Sequence, residues 1–245
     1  MANENGVWIM RGLDWDNPYR IRTWRELINW INEVGFLPLF ANEVRGFSAE
    51  EHVSPNFWWT DNPEQDPWLW REYIARSHEV AYGKFFGKKA GFISKEWLPY
   101  FANYRRNGYD FDARVDDGLA PFQDRHLYGE LEKSLSAFGS ITSKGLKHTA
   151  GFDSTGGRKG FETIITRLQM QCYVCVSDFP YLTDKNGNSY GWGITEYSTP
   201  EMLYGDSFTK GLYGIEPEES KEIIKAHLLR IAPDASEKQI EKFIG

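Results

Sequence analysis

Residues Arg158 to Glu201 read RKGFETIITRLQMQCYVCVSDFPYLTDKNGNSYGWGITEYSTPE. Phe161, Ile164, Ile165, Leu168 and Cys172 recur at helical spacing and fall within about 100° of arc. The spacing predicts a helix over 160–171 that buries one face. Residues 173–179, rich in Val and aromatics, suit a strand. Asn186-Gly187 favours a two-residue hairpin turn, and YGWGITEY (190–197) returns as the second strand. Thr199 and Pro200 fit the N-cap and first position of the next helix. Helix, strand, turn and strand in this order form the second half of a winged helix-turn-helix.

Upstream, Leu127, Leu131, Leu135 and Phe138 mark an amphipathic helix over 125–138, ended by Gly139. Thr142 can cap a short helix, SKGLKHTAGF, and Asp153 to Gly157 form a small-residue loop. Nearer the start, Thr23 and Glu26 fit a capping box, followed by Trp24, Leu27, Ile28 and Ile31 at helical spacing. Gly35 suits the C-terminal cap, FLPLF comes next, and Ser48 with Glu51 repeats the capping pattern. Helix signals return over 68–80, and AYGKFFGKKAGFIS reads as two strands joined at Gly87-Lys88-Lys89. Ser94 is the expected cap of a helix through Trp97 and Leu98.

Ile74, Arg76 and Tyr82 share their spacing with Ile165, Arg167 and Tyr173, and each line runs into a strand pair. The expected fold is therefore α+β, with tandem winged helix-turn-helix units and a C-terminal helical tail; a single undivided α+β domain is the alternative. The expected divisions are an irregular arm over 1–22, carrying Trp8, Leu13 and Trp15 as packing residues, a first unit over 23–104, a second over 122–200, and C-terminal helices over 201–245. The linker between the units is read over 105–121, within an Asp-, Gly- and Arg-rich stretch that starts at Asn103. The tail charges alternate in sign, as on a solvated face.

Composition narrows the function. The net charge of −7 over 245 residues excludes nucleic-acid binding by overall charge, though not by one basic face. No signal peptide and no membrane-length apolar run is present, and the expected location is the cytoplasm. Cys172 and Cys175 supply only two of the ligands a structural zinc needs, so they are expected to be buried and reduced. The five histidines show no ligand spacing, and no metal or cofactor is expected. Asp110, Asp112, Asp116 and Asp117 lack the pattern of a calcium loop and read as a solvated turn.

Lys159, Thr163, Thr166, Arg167 and Met170 fall opposite the apolar face of the 160–171 helix. In a helix-turn-helix that side enters the major groove. Lys144, Lys147, Arg158, Lys159 and Arg167 make this part of the chain locally basic, and Lys185 and Asn186 sit at the hairpin tip. These residues and Thr163 are the candidate contacts to double-stranded DNA; solvated surface charge is the plain alternative. Trp58 and Trp59 are candidates to stack on an extruded base, against a packing role. Gln169 and Gln171 could grip one ligand from a strand; on a helix they lie about 160° apart and would bond backbone.

RLQMQCYVCVSDF, KNGNSYGWGITEYSTPE and PWLWREYIARSHEVAYGKFFGKKAGFISKEWLPYF together resemble AlkZ-related proteins of the AlkZ and YcaQ winged-helix DNA glycosylase superfamily. The resemblance spans about 23–200. It implies tandem winged helices around a DNA channel and metal-free hydrolysis of the N-glycosidic bond of alkylated or crosslinked bases. The family's Gln-x-Gln or Gln-x-Asp motif aligns with Leu37-Pro38-Leu39-Phe40, so Pro38 and Phe40 replace both catalytic polar residues. The expectation is a DNA-binding protein that recognises damaged DNA without base excision by the family route. A monofunctional glycosylase using Glu43 as its carboxylate is one alternative, and a non-enzymatic regulatory or interaction module is another.

Overall fold

The computed structural model describes residues 2–4 and 7–245, with side chains from Ile9 onward. Trp8 therefore has its side chain outside the described residues. A short antiparallel pair, β1 (Ala2–Glu4) and β2 (Val7–Ile9), precedes a segment laid over the next helices. Leu13 N–H donates to the Val53 carbonyl (3.0 Å) and Ile21 N–H to that of His52 (2.8 Å). Trp15 does not pack as expected: it is 61% exposed.

Helix α1 (Trp24–Val34) starts where predicted, with the Thr23 hydroxyl accepting from Glu26 N–H (3.2 Å). The Glu26 carboxylate reaches one residue beyond the cap and accepts from Arg22 N–H (2.7 Å). Leu27, Ile28, Ile31 and Val34 are buried, each fully buried side chain contributing about 1.5–3 kcal/mol. Gly35 ends the helix at φ 84°, and a Cβ there would lie 2.6 Å from the Trp97 ring, so both conformation and space demand glycine. Then come β3 (Phe36–Pro38), α2 (Ala49–His52), capped by Ser48, and α3 (Pro67–Ser77), capped by Asp66. The hairpin β4 (Val80–Phe86) and β5 (Lys89–Ser94) turns at Gly87-Lys88. Ser94 is not the cap of α4 (Leu98–Arg106). Trp97 holds that position with no side-chain bond, because three residues of turn, Lys95 to Trp97, separate Ser94 from the helix.

Residues 105–121, expected as the linker, are largely helical. They finish α4 and form α5 (Phe111–Asp116), whose N-cap Asp110 accepts from Ala113 N–H (2.7 Å). Next come α6 (Phe122–Phe138), β6 (Ile141–Thr142), α7 (Ser143–Thr149), α8 (Phe161–Met170) and β7 (Cys175–Asp178). Asn186-Gly187 does turn a hairpin, but between the two-residue strands β8 (Leu182–Thr183) and β9 (Ser189–Tyr190), which form their own small sheet. The predicted return strand over 190–197 is largely absent. Main-sheet pairing resumes only at β10 (Glu196–Ser198). Pro180 has no N–H to donate, and the chain at Gly193 passes so close to Phe179 that a Cβ would sit 2.9 Å from it. Helices α9 (Pro200–Tyr204), α10 (Asp206–Thr209), α11 (Pro217–Ile231) and α12 (Glu237–Ile244) complete the chain.

The main sheet is antiparallel, six strands in the order β3-β5-β4-β7-β10-β6. This order is palindromic about the β4–β7 seam. On each side the strand before the helix pair joins the far strand of the pair after it. At the seam only Tyr82 and Val176 pair. Beyond Tyr82 the β4–β5 register shifts, and Lys84 N–H donates to the Gln169 side chain of α8 (2.9 Å) instead of to a strand. The sheet thus splits along the seam, and cavities open beside the split.

The C-terminal helices are not a solvated tail. Phe243 packs on Phe36, Phe47 and Phe86, with ring centroids 4.9–5.9 Å apart. Their alternating charges pair between helices, Lys221 with Glu241 and Lys225 with Glu237, each at 3.0 Å. Arg106 ties this half to the other. It is 1% exposed, donates to the Cys172 carbonyl (2.5 Å) and to Glu201 (2.7 Å), and lies over the Tyr173 ring. Burial works against its charge, yet the Glu201 and Tyr213 contacts hold its pKa above the ordinary arginine value.

Candidate nucleic-acid interface and adjoining aromatic pocket

Two cavities flank the split seam. The larger, about 830 Å³, lies between the outer face of α8, the tip of the β4–β5 hairpin, α4 and α12. Lys84, Lys88, Arg105, Arg167 and Lys242 line it, with Glu162 as its one acidic side chain among the described residues. Thr163 and Met170 complete the α8 wall. The basic groups are differently committed. Arg105 donates to the Met170 carbonyl (3.2 Å) and twice to that of Ile244 (2.9 and 3.2 Å), so it sits at two helix C-termini. Burial pushes its pKa below the ordinary arginine value. Arg167 grips the buried Asp124 carboxylate of α6 through two nitrogens, a hydrogen bond that raises its pKa. Lys242 lies 3.4 Å from Glu43, while Lys88 is exposed at the hairpin turn.

The smaller cavity, about 410 Å³, opens on the other side of Lys84 and Glu162, which line both. Its walls are aromatic: Phe40, Trp68, Tyr82, Phe179, Trp192 and Tyr197. Arg71 enters from α3, sandwiched between the Trp68 and Phe179 rings at 4.0 and 4.2 Å. One of its nitrogens lies 3.0 Å from Glu72, whose other oxygen accepts from the Tyr181 hydroxyl (2.8 Å). Burial raises the Glu72 pKa against the pull of Tyr181 and Arg71. Burial, helped by Glu72, pushes Tyr181 up to about 12.

The expected contact residues scatter around α8. Thr163 and Arg167 line the large cavity. Lys147 pairs with Glu162 (2.9 Å) from α7. Arg158 lies over the exposed Phe122 ring (5.6 Å), which Arg125 also approaches (5.9 Å). Lys144 and Lys159 are exposed, and Lys185 and Asn186 occupy the exposed β8–β9 tip. Trp58 is 6% exposed and stacks on Phe40 (5.6 Å), so of the two tryptophans only Trp59, 46% exposed, shows its ring to solvent. Gln169 and Gln171 face different cavities. Gln169 is buried and bonds backbone at Lys84 and Ile165, while Gln171 borders the large one. Glu43 faces α12, its carbonyl accepting from the Gln239 amide (2.6 Å), and no described contact joins it to Trp58 or Trp59.

Pro38 is buried in β3 and Phe40 lines the aromatic pocket, so the segment over 37–40 borders a cavity. Sequence reading misses Lys84, Lys88, Glu162, Arg71 and Trp192. The consecutive Lys88 and Lys89 at a hairpin turn are a usable signal; Lys242 and Arg105 are not, because only the docking of α12 on α4 brings them here. Both cysteines are free and buried, and no group of metal-binding side chains occurs among the described residues. No described helix is long and apolar enough to cross a membrane.

No curated protein matches the chain significantly. A solved structure, DNA glycosylase AlkZ from Streptomyces sahachiroi, is similar at 11% identity with a TM-score of 0.47, over 92% of this chain and 60% of that one. The chain therefore spans about three fifths of that relative's length. The AlkZ-related family model matches residues 21–245, and the chain belongs to this family.

Proposed function

We propose that the protein binds double-stranded DNA along the basic groove, with the outer face of α8 toward the duplex. The observation that carries this reading is the concentration of five basic side chains against one acidic side chain in the groove of a chain whose net charge is −7. A local positive field on an acidic body selects one face for a polyanion. The palindromic sheet supports a tandem winged-helix reading. Each half runs helix, strand, two helices, two strands, with the early strand paired to the last, and the division falls in the α5 region. Family membership favours a role in recognising damaged DNA. Excision by a Gln-x-Gln route is not part of the proposal, since Pro38 and Phe40 offer no group to orient water.

Fluorescence anisotropy with a labelled duplex over a salt series tests the reading. Wild-type binding should weaken with salt. Lys88→Glu with Lys242→Glu should lower affinity and flatten the slope by about 0.9 per lost phosphate contact. Binding that is salt-independent, or unchanged in the double variant, would remove the groove from the mechanism. A non-enzymatic protein-interaction module would then be the better reading, carried by the exposed Phe122 and Phe138 on α6.

A further inference from the structure

The start of α6 carries an aromatic ring that the fold leaves open and surrounds with cations. Phe122 is 61% exposed. The Arg158 and Arg125 guanidinium groups stand 5.6 and 5.9 Å from its centroid, and the His126 ring lies nearly parallel at 6.5 Å. The closed sandwich around Arg71 has 4.0 and 4.2 Å instead. At the longer distances the Phe122 ring keeps room for a further flat group. The acidic side chains of the adjoining segments have partners of their own: Asp124 pairs with Arg167, Asp153 with His148 and Glu162 with Lys147. Arg125 and Arg158 are exposed and have no acidic partner among the described residues. The patch adjoins the basic groove. Asp124, beside Arg125 in sequence, is gripped by Arg167 of the groove wall, and Arg158 and Lys159 lead directly into α8.

We infer that Phe122 is a stacking platform for an unpaired base, in a single strand of DNA that continues from the duplex in the groove, with the neighbouring phosphates on Arg125 and Arg158. A base within a duplex has both faces covered by its neighbours, whereas an unpaired base has a face to offer. Single strands need both an aromatic ring for the base and cations for the backbone, and this patch holds both. An apolar peptide would gain nothing from two guanidinium groups beside the ring and would have to desolvate them. Phe138, the other open ring of α6, is the contrast. It is 82% exposed, about 24 Å further along the helix, and no cation lies over it among the described residues. That the strand continues from a duplex rests on the DNA reading above, whereas stacking on Phe122 rests on the patch alone.

Fluorescence titration of the full chain with four DNA probes tests the assignment. They are a blunt duplex, the same duplex with an unpaired tail of about six nucleotides at its 3′ or its 5′ end, and the free tail strand. 2-Aminopurine in the tail reports stacking by loss of its fluorescence. One tailed duplex should bind about tenfold tighter than the blunt one, with its 2-aminopurine quenched. Phe122→Ala should abolish both the advantage and the quench and leave the blunt affinity unchanged; the ring is exposed, so the fold tolerates the change. Phe122→Tyr should keep both effects, and Phe138→Ala should alter neither. Arg125→Gln with Arg158→Gln should flatten the salt dependence of tail binding by about 0.7 per lost phosphate contact. Lys88→Glu with Lys242→Glu should weaken every duplex while the free strand is still quenched at high protein concentration. Failure of the groove and failure of the platform are thereby separated. Equal binding of tailed and blunt duplexes, or a tail advantage that persists in Phe122→Ala, overturns the assignment. Equal loss of the advantage in Phe122→Ala and Phe138→Ala also overturns it, since the effect would then belong to α6 as a whole.

Discussion

The two halves of the molecule repeat one order of elements and treat it differently. In the first, β4 and β5 run seven and six residues, turn at Gly87-Lys88, and are packed by α1, α3 and α8, with Phe101 of α4 and Phe243 of α12 against Phe86. In the second, β7 and β10 are four and three residues long, and the chain between them leaves the sheet to build an exposed hairpin. The same framework thus serves once as a closed core and once as a support for exposed surface. The difference comes from the helices that cover each hairpin. The C-terminal pair adds Phe243 and His227 to the rings of the first half, whereas α10 packs on α4 and α9 reaches Arg106 through Glu201.

The sharpest way to break this comparison is to remove a large side chain from each half. Phe36 is fully buried and packs on the rings of Phe47, Trp97, Phe101, His227 and Phe243. Phe36→Ala should cost about 3–5 kcal/mol, with a matching fall in denaturant midpoint at unchanged slope. Leu182→Ala, on the exposed hairpin, should stay within about 0.5 kcal/mol. Comparable losses from the two would mean that the exposed hairpin is packed in solution and that the halves are not divided into core and surface.

The seam gives a smaller contrast. Gln169 supplies the acceptor that Lys84 N–H loses at the split between β4 and β7, and Gln171, two residues on, has no such duty. Gln169→Ala leaves a buried N–H unpaired and should cost about 1–3 kcal/mol, while Gln171→Ala should be nearly neutral. Thermal unfolding of both variants decides it. Equal, small effects would make Gln169 a ligand-binding candidate again.

Local signals in the sequence are legible where they are chemically complete. The caps at Thr23, Ser48, Thr142, Thr199 and Ser236, and the turns at Gly87 and Asn186-Gly187, appear where their residues demand. Short strands are harder. β3 and β6 are three and two residues long and have no period of their own to read, yet they carry the symmetry of the sheet. The extent of the hairpin after β7 is not legible, because Asn186-Gly187 fixes a turn but not how far pairing runs from it. The site is legible only in part. Arg167 and Thr163 follow from helical pitch. The groove needs Lys242 from α12, 75 residues beyond Arg167, and no local pattern announces that approach. Arg71 is one charge among many in the sequence, and only folding brings its two aromatic neighbours, Trp68 and Phe179, together around it.

The finest test of the sealed half is its pH response. His227 of α11 stacks on Trp97 (3.9 Å between centroids), lies 2.9 Å from the Val34 carbonyl through Nε2, and faces an Arg230 nitrogen through Nδ1 at 3.0 Å. The arrangement suits the neutral ring, with Nε2–H donating to Val34 and Nδ1 accepting from Arg230. Burial lowers the His227 pKa, and Arg230 adds to the shift against the opposing bond to Val34. A histidine whose pKa is lower folded than unfolded binds fewer protons in the folded state. Its contribution is fully present above the unfolded value, about 6.5, and is lost as pH falls through the folded value. Unfolding midpoints should therefore fall between about pH 7.5 and about pH 5.5. His227→Gln keeps a donor for Val34 but cannot titrate, so its midpoint should fall less over the same interval. Wild type and variant falling in parallel would show that His227 keeps an ordinary pKa, and that the α11 cover over the first half admits water at this point.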